Sequence, residues 1–225
     1  VVETGWEPVL RDAKAARIPV FLVDRGISVA EPGLWKTLIA SEFVEEGRMA
    51  AHWLADKTGG KCNIVELQGT PGSAPALDRQ KGFEEVIRGE YANMVIIKSQ
   101  SGDFTRAKGK EVMEAFLKAE GKNIQAVYAH NDDMALGAIQ AIEEAGLKPG
   151  KDILIVSIDA VKPALEAIIA GKLNASIECN PLLGPLVFDA IEAAVGGAKV
   201  PYKILIKDEL FDESNAKERI GTRPY

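Results

Sequence analysis

Four places in the sequence set carboxylates, a guanidinium or an amide directly after a short aliphatic run. They are Asp24-Arg25, the loop Gln68-Gly69-Thr70-Pro71-Gly72 that leads to Arg79, Asn131-Asp132, and Asp159. Such groups form bidentate hydrogen bonds with adjacent hydroxyls, each of which donates and accepts. The set therefore suits a neutral polyol. Phe104, in Ser101-Gly102-Asp103-Phe104-Thr105, adds a ring that either joins a core or stacks on an apolar C–H face.

Each group also has a plainer use. Asp24-Arg25 would serve equally as an ion-paired surface turn, and Arg79 has Asp78 and Glu84 as sequence neighbours to pair with. Asp132 is suited to cap the helix that follows, which leaves Asn131 with the stronger claim on a ligand. His130 reads as a structural histidine and His52 as a helix-surface residue, while Trp6 and Trp53 are assigned to packing. The Gly69–Gly72 loop lacks both phosphate-cradling spacings, Gly-x-Gly-x-x-Gly and Gly-x4-Gly-Lys-Ser/Thr.

Catalytic machinery does not stand out. There is no Gly-x-Ser-x-Gly elbow, no nucleophile beside a base, and no histidine pair at metal-ligand spacing. No carboxylate pair suggests glycoside hydrolysis. A binding protein is expected, not an enzyme, with no cofactor and no metal. Cys62 and Cys179 lie far apart and outside any Cys-x-x-Cys pair, so two buried thiols are expected.

The elements that must position these residues follow from hydrophobic period. Helical periodicity alternates with β-branched runs, the pattern of an α/β fold built on parallel sheets. Strands are expected at 18–23, 35–40, 63–67, 94–98, 126–129, 153–158 and 175–178. A first helix, with Pro8 in its opening turn, runs to Arg17 on an apolar face of Val9, Leu10, Ala13 and Ala16. Further helices are expected near 41–57, 74–89, 105–119, 132–145 and 161–170, the last two closed by Gly146 and Gly171. In open α/β sheets the ligand crevice lies at the carboxyl ends of the strands, where the polar groups above fall. Residues 61–178 suffice for one doubly wound lobe. Residues 1–38 are too few to cover a sheet on both faces. The apolar helix Leu182–Val195 is expected to return to that first lobe, and part of the lobe to be absent, with Val1-Val2 trailing from a strand.

Composition removes other classes. Hydrophobic residues make up 47% and charged residues 27%, with a net charge of −6 and interspersed signs. No basic stripe is present for phosphate backbones, so nucleic acid is not an expected partner. Apolar stretches fall far short of the roughly 20 residues of a membrane span, so no membrane insertion is expected.

Six segments at matching spacing then carry a resemblance: Ile18-Pro19-Val20 with Asp24-Arg25, Leu67-Gln68-Gly69-Thr70, Asp78-Arg79 with Gly82-Phe83, Asp103-Phe104-Thr105-Arg106, Ala129 to Ala138, and Ile158-Asp159. Together they resemble the periplasmic sugar-binding proteins of ABC transporters, of the ribose and galactofuranose type. The resemblance spans nearly the whole chain. It implies two doubly wound Rossmann-like lobes joined by three hinge crossings near 36–41, 178–182 and 202–207, the first lobe incomplete. Residues 1–38 with 182–203 would form the N-terminal lobe, and 39–181 with 204–225 the C-terminal lobe. It further implies capture of a monosaccharide, galactofuranose or a related aldose, and presentation to ABC transporter permease subunits by hinge closure. A periplasmic location, a signal peptide in the precursor and a monomeric state belong to the same expectation.

Carried over by residue, Asp24 and Arg25 would hold sugar hydroxyls from the first lobe, Arg79, Asn131 and Asp159 from the second, with Phe104 stacking. Ribose binders tend to have an arginine where Leu77 stands and a glutamine near Cys179, which argues against ribose. Glu178 and Asn180 are the candidate substitutes. The rival in another class is the effector core of a LacI-type sugar-responsive repressor, which shares the Asn-Asp and Ile-Asp strand ends and would carry a helix-turn-helix ahead of Val1.

Overall fold

The computed structural model describes residues 2–225. In chain order the elements are α1 (Glu7–Ala15), β1 (Leu22–Val23), β2 (Leu38–Ser41), α2 (Phe43–Thr58), β3 (Lys61–Gln68), α3 (Ala74–Gly89), β4 (Asn93–Ser101), α4 (Arg106–Glu120), β5 (Ala126–Ala129) and α5 (Asp132–Glu144). There follow β6 (Leu154–Asp159), α6 (Lys162–Ile169), β7 (Ala175–Glu178), α7 (Gly184–Val195), β8 (Lys203–Ile206), β9 (Leu210–Asp212) and α8 (Ala216–Arg219).

Six strands form one sheet in the order β4-β3-β5-β6-β7-β9, parallel except for the antiparallel β7–β9 pair. Helices cover both of its faces, so its middle strands read as continuous apolar runs, and all four residues of β5 are buried. On one face α2 and α3 pack through Leu54, Phe83 and Ile87. On the other, α4, α5 and α6 pack through Met113, Ile142 and Leu165. The edge strand β4 buries only Met94 and leaves most of its residues exposed.

The second sheet has three parallel strands in the order β1-β2-β8, with α7 packed on it through Ile39, Val187, Ala190 and Ile204. The return of the 182–195 helix to this sheet agrees with the reading of its apolar pattern. Three segments link the sheets: Ser41 to Phe43 between β2 and α2, residues 179–183 between β7 and α7, and residues 207–209 between β8 and β9. β2 and β8 lie in the small sheet, three residues past the lobe boundaries expected at 38 and 203.

Other expectations need adjustment. The strand expected at 18–23 is reduced to Leu22–Val23, because it is an edge and Pro19 has no N–H for the ladder. The strand expected at 35–40 starts at Leu38, and Trp35 instead packs on Tyr202 with ring centroids 5.3 Å apart. Helix α1 ends at Ala15 and buries only Leu10, leaving Val9 exposed. The Val1 part of the expected trailing strand lies outside the described residues, and Val2 is not in a strand. Gly146 does close α5, with φ 76° and its N–H donating to Glu143 O while Leu147 N–H donates to Ile142 O.

Helices α2 and α3 approach until backbone meets backbone. A Cβ at Gly82 would stand 1.9 Å from Val44 O, and one at Gly47 2.2 Å from Arg79 O. Gly137 serves likewise between α5 and α4, 2.1 Å from Arg106 O. Gly82→Ala is therefore expected to destabilise the protein by about 1–3 kcal/mol despite alanine's higher helix propensity. Gly89→Ala, on the same helix with open space around it, should be neutral or stabilising by under about 1 kcal/mol. Urea unfolding of the two variants makes the comparison, and equal effects would refute the close-packing account.

Candidate functional site

The polar strand ends meet at a cavity of about 630 Å³ between the two sheets. Asp24 and Arg25 enter it from the end of β1, Asn131 from the end of β5, Asp159 from the end of β6, and Arg79 from the second turn of α3. Phe104, from the turn after β4, completes the group. Helix α7 supplies an apolar wall of Leu183, Val187 and Phe188, and Cys179, Asn180 and Tyr225 also line the space. Helices begin where the strands end, so N–H groups and short polar side chains gather there.

Arg79 organises the floor. Its Nε donates to Glu46 Oε2 at 2.6 Å and its Nη1 to the His130 carbonyl at 2.6 Å, while Nη2 lies 3.7 Å from Asp159 Oδ1. The Glu46 and Arg79 side chains are 1% and 4% exposed. Burial works against the guanidinium charge, but the carboxylates around it, Glu46 first and Asp159 after it, more than compensate and hold its pKa above the ordinary value. Arg79 is a fixed cation. The 3.7 Å gap to Asp159 exceeds a hydrogen bond, so both groups keep capacity for a third partner such as a hydroxyl. Burial raises the Asp159 carboxyl well above its usual range; Arg79 opposes this, and Asp132 and Glu46 reinforce it.

Phe104 lies between two cations, with Arg25 Cζ 5.7 Å and Arg79 Cζ 5.9 Å from its ring centroid. The ring presses so closely on the Gln68–Gly72 loop that a Cβ at Gly69 would stand 1.9 Å from Phe104 Cζ. The loop is further tied by Thr70 Oγ1 donating to Asp103 at 2.7 Å. Its glycine serves ring packing. Asp24 (φ 67°), Phe104 (φ 58°), Asp159 (φ 123°) and Ala160 (φ 52°) all hold left-handed backbone. For non-glycine residues this costs on the order of 1–3 kcal/mol each and recurs at ligand sites.

One expectation about the β5 end is corrected. Asn131, not Asp132, caps α5: its Oδ1 accepts from Met134 N at 3.1 Å and its Nδ2 donates to Phe104 O at 3.2 Å. Asp132 is fully buried and accepts from Ser157 Oγ (2.5 Å), Ser176 Oγ (2.7 Å) and Val161 N (2.9 Å), tying the ends of β5, β6 and β7 together. Burial pushes it up to about 6 against those three bonds. His130 is structural. Its Nδ1 accepts from Gly69 N at 3.3 Å and its Nε2 faces Glu66 at 3.1 Å, and burial lowers its pKa.

Glu178 is not brought to the cavity. The last residue of β7 turns its carboxylate to the C-terminal segment, where it accepts from Arg223 Nη1 at 2.6 Å and Tyr225 OH at 3.0 Å. Asn180, its companion candidate, does line the space. Cys62 and Cys179 are both free, Cys62 buried as expected and Cys179 only half-buried because it faces the cavity. Sequence reasoning missed Glu46: a glutamate among helical charges shows no burial of its own, and the nearest hint was its place beside Gly47.

Two parallel α/β sheets joined by three crossings, with polar strand ends facing one cleft, define a two-lobed ligand-binding protein. The chain belongs to the periplasmic binding protein domain family, whose pattern matches residues 1–199. It is 54% identical over 224 residues to the galactofuranose-binding protein YtfQ of Escherichia coli (strain K12), spanning 98% of this chain and 70% of that protein. It is 40% identical over 192 residues to the ribose import binding protein RbsB of Bacillus subtilis (strain 168), spanning 85% of this chain and 59% of that protein. Among solved structures, the arabinose-transporter binding protein of Shewanella sp. ANA-3, bound to α- and β-L-arabinofuranose, superposes with a TM-score of 0.96 at 53% identity, over 99% of this chain and 74% of that one.

Glu46→Ala is expected to destabilise the fold by about 3–5 kcal/mol, because it leaves the buried Arg79 charge without its hydrogen-bonded carboxylate. The double variant with Arg79→Met should recover a good part of the loss. Chemical unfolding of both proteins checks this, and equal stability of the single and double variants would refute the pairing argument.

Proposed function

We propose that this chain is the sugar-capturing component of an ABC importer, and that its ligand is a monosaccharide in furanose form, galactofuranose or a related aldose. The observation that carries the reading is the cavity itself, where Arg25 and Arg79 flank Phe104 while Asp24, Asn131 and Asp159 face the same space. Carboxylates and guanidinium groups answer vicinal hydroxyls, and the ring answers a C–H face. Charge-assisted hydrogen bonds contribute about 1.5–3 kcal/mol each, so three or four approach the roughly 8 kcal/mol of a micromolar complex. Capture requires no bond to be made or broken, so no catalytic step is assigned. Furanose is favoured because the arabinose-transporter relative was solved with furanose rings.

In this reading residues 2–41 with 184–206 form one lobe and 42–183 with 207–225 the other. Sugar held by one lobe recruits the second, and the closed form is what a permease in the membrane recognises from the periplasm. The protein acts as a monomer, and Asp24, Arg25, Arg79, Phe104, Asn131 and Asp159 are its ligand contacts.

A thermal-shift panel followed by calorimetry should show binding of L-arabinose or D-galactose, whose solutions contain furanose forms. Arg25→Ala and Asp159→Ala are expected to weaken binding by about 10–100-fold while keeping the wild-type circular dichroism spectrum. No shift with any sugar would count against capture, and an unfolded variant would make that residue structural.

A further inference from the structure

Asp208 lies in the 207–209 crossing, within a knot of contacts that includes all three segments joining the lobes. Ser41, the last residue of β2, donates its hydroxyl to Asp208 Oδ1 at 3.0 Å across 167 positions of sequence. The backbone N–H of Asn180, in the second crossing, faces the same carboxylate. Next to it, the N–H of Glu178, the last residue of β7, donates to Glu209 O at 2.7 Å, so the third crossing is also anchored to the six-stranded sheet through backbone. Parallel pairing sets Ser41 against Ile206, which brings the first and third crossings side by side. Ser41, Asp208 and Glu209 lie outside the lining of the cavity, which Asn180 reaches.

We propose that Asp208 is a positioning residue of the hinge: by bonding across the crossings it sets the angle at which the lobes meet, and its ionisation shifts that angle toward opening. The proposal rests on the sugar-capture reading for its functional consequence. The charged groups around Asp208 make it sensitive to protonation. Glu46 faces it from α2 and Glu178 from β7, the latter paired with Arg223, while Cys179 shares the Ser41 hydroxyl and Lys207 and Glu209 flank it in the chain. Burial, then repulsion from Glu46, pushes its carboxyl up to about 7, against the Ser41 bond. Because that value lies above the ordinary 3.8, the packed crossings favour the protonated form. The stabilisation is complete below the ordinary carboxylate range and is lost as pH rises through about 7. Deprotonation thus favours any setting of the lobes that hydrates Asp208 and moves it from Glu46.

The test uses the whole chain with and without L-arabinose. Without sugar, the amide resonances of Ser41, Asn180 and Glu209 should titrate together with a midpoint near 7, and Asp208→Asn should abolish that shared titration. Ser41→Ala, which removes a donor to the ionised carboxylate, should move the midpoint upward. With L-arabinose, wild-type affinity should fall by about threefold or more between pH values of about 6 and about 8, and Asp208→Asn should remove that fall. Amides that titrate unchanged in Asp208→Asn, or the same affinity ratio in both proteins, would overturn the assignment. Should L-arabinose and D-galactose fail to bind at any pH, the capture reading fails by itself, and the sugar-free titration still decides the role of Asp208.

Discussion

A buried charge pair with nowhere else to go constrains the rest of the molecule. Glu46 and Arg79 come from neighbouring helices, both out of water, and each is the other's compensation. Such a pair adds little net stability compared with apolar residues of the same size, but removing either partner is costly. It acts chiefly on geometry. For Arg79 Nε to reach Glu46, α2 and α3 must lie as close as Gly47 and Gly82 allow, and for Nη1 to reach the His130 carbonyl the pair must sit at the end of β5. Only Nη2 then remains to face Asp159 and the cleft.

Rigidity at the cleft comes from the same kind of arrangement repeated. Asp132 gathers the ends of three adjacent strands through two serine hydroxyls and one backbone N–H. Glu66 receives His130, Ser99 and Gln68 one layer beneath, and Tyr128 stacks on Phe83 at 4.0 Å while donating to Arg79 O. Backbone strain at Phe104 and Asp159, at strand ends of the same sheet, is sustained by this surrounding order. The side chains of this sheet that line the cavity are therefore held in place by the protein itself.

The two sheets differ in how they are held. The six-stranded sheet has an apolar layer on each face, whereas the three-stranded sheet is packed by α7 and leaves Phe188 67% exposed beside the cavity. Three short crossings run between them, and Glu3 N–H donates to Gly72 O at 3.0 Å from one side to the other.

Much of this was legible in the amino-acid sequence. The alternation of periods 2 and 3.6 determined an α/β fold, the glycines after α5 and α6 determined where those helices stop, and polar residues placed just past apolar runs marked four of the groups that line the cleft, Asp24, Arg25, Asn131 and Asp159, with Arg79 and Phe104 marked by the loops beside them. These are local properties, carried by neighbours in the chain. Tertiary structure alone decided that Arg79 pairs with Glu46 rather than Asp78 or Glu84, that Asn131 caps α5 while Asp132 is buried, and that Glu178 turns to Arg223. Each of those choices depends on which strand end or helix lies opposite, and on how much water is left between them. Hydrogen-bonding groups of one kind compete for the same partners in sequence, and burial, which is a property of the assembled sheets, settles the competition.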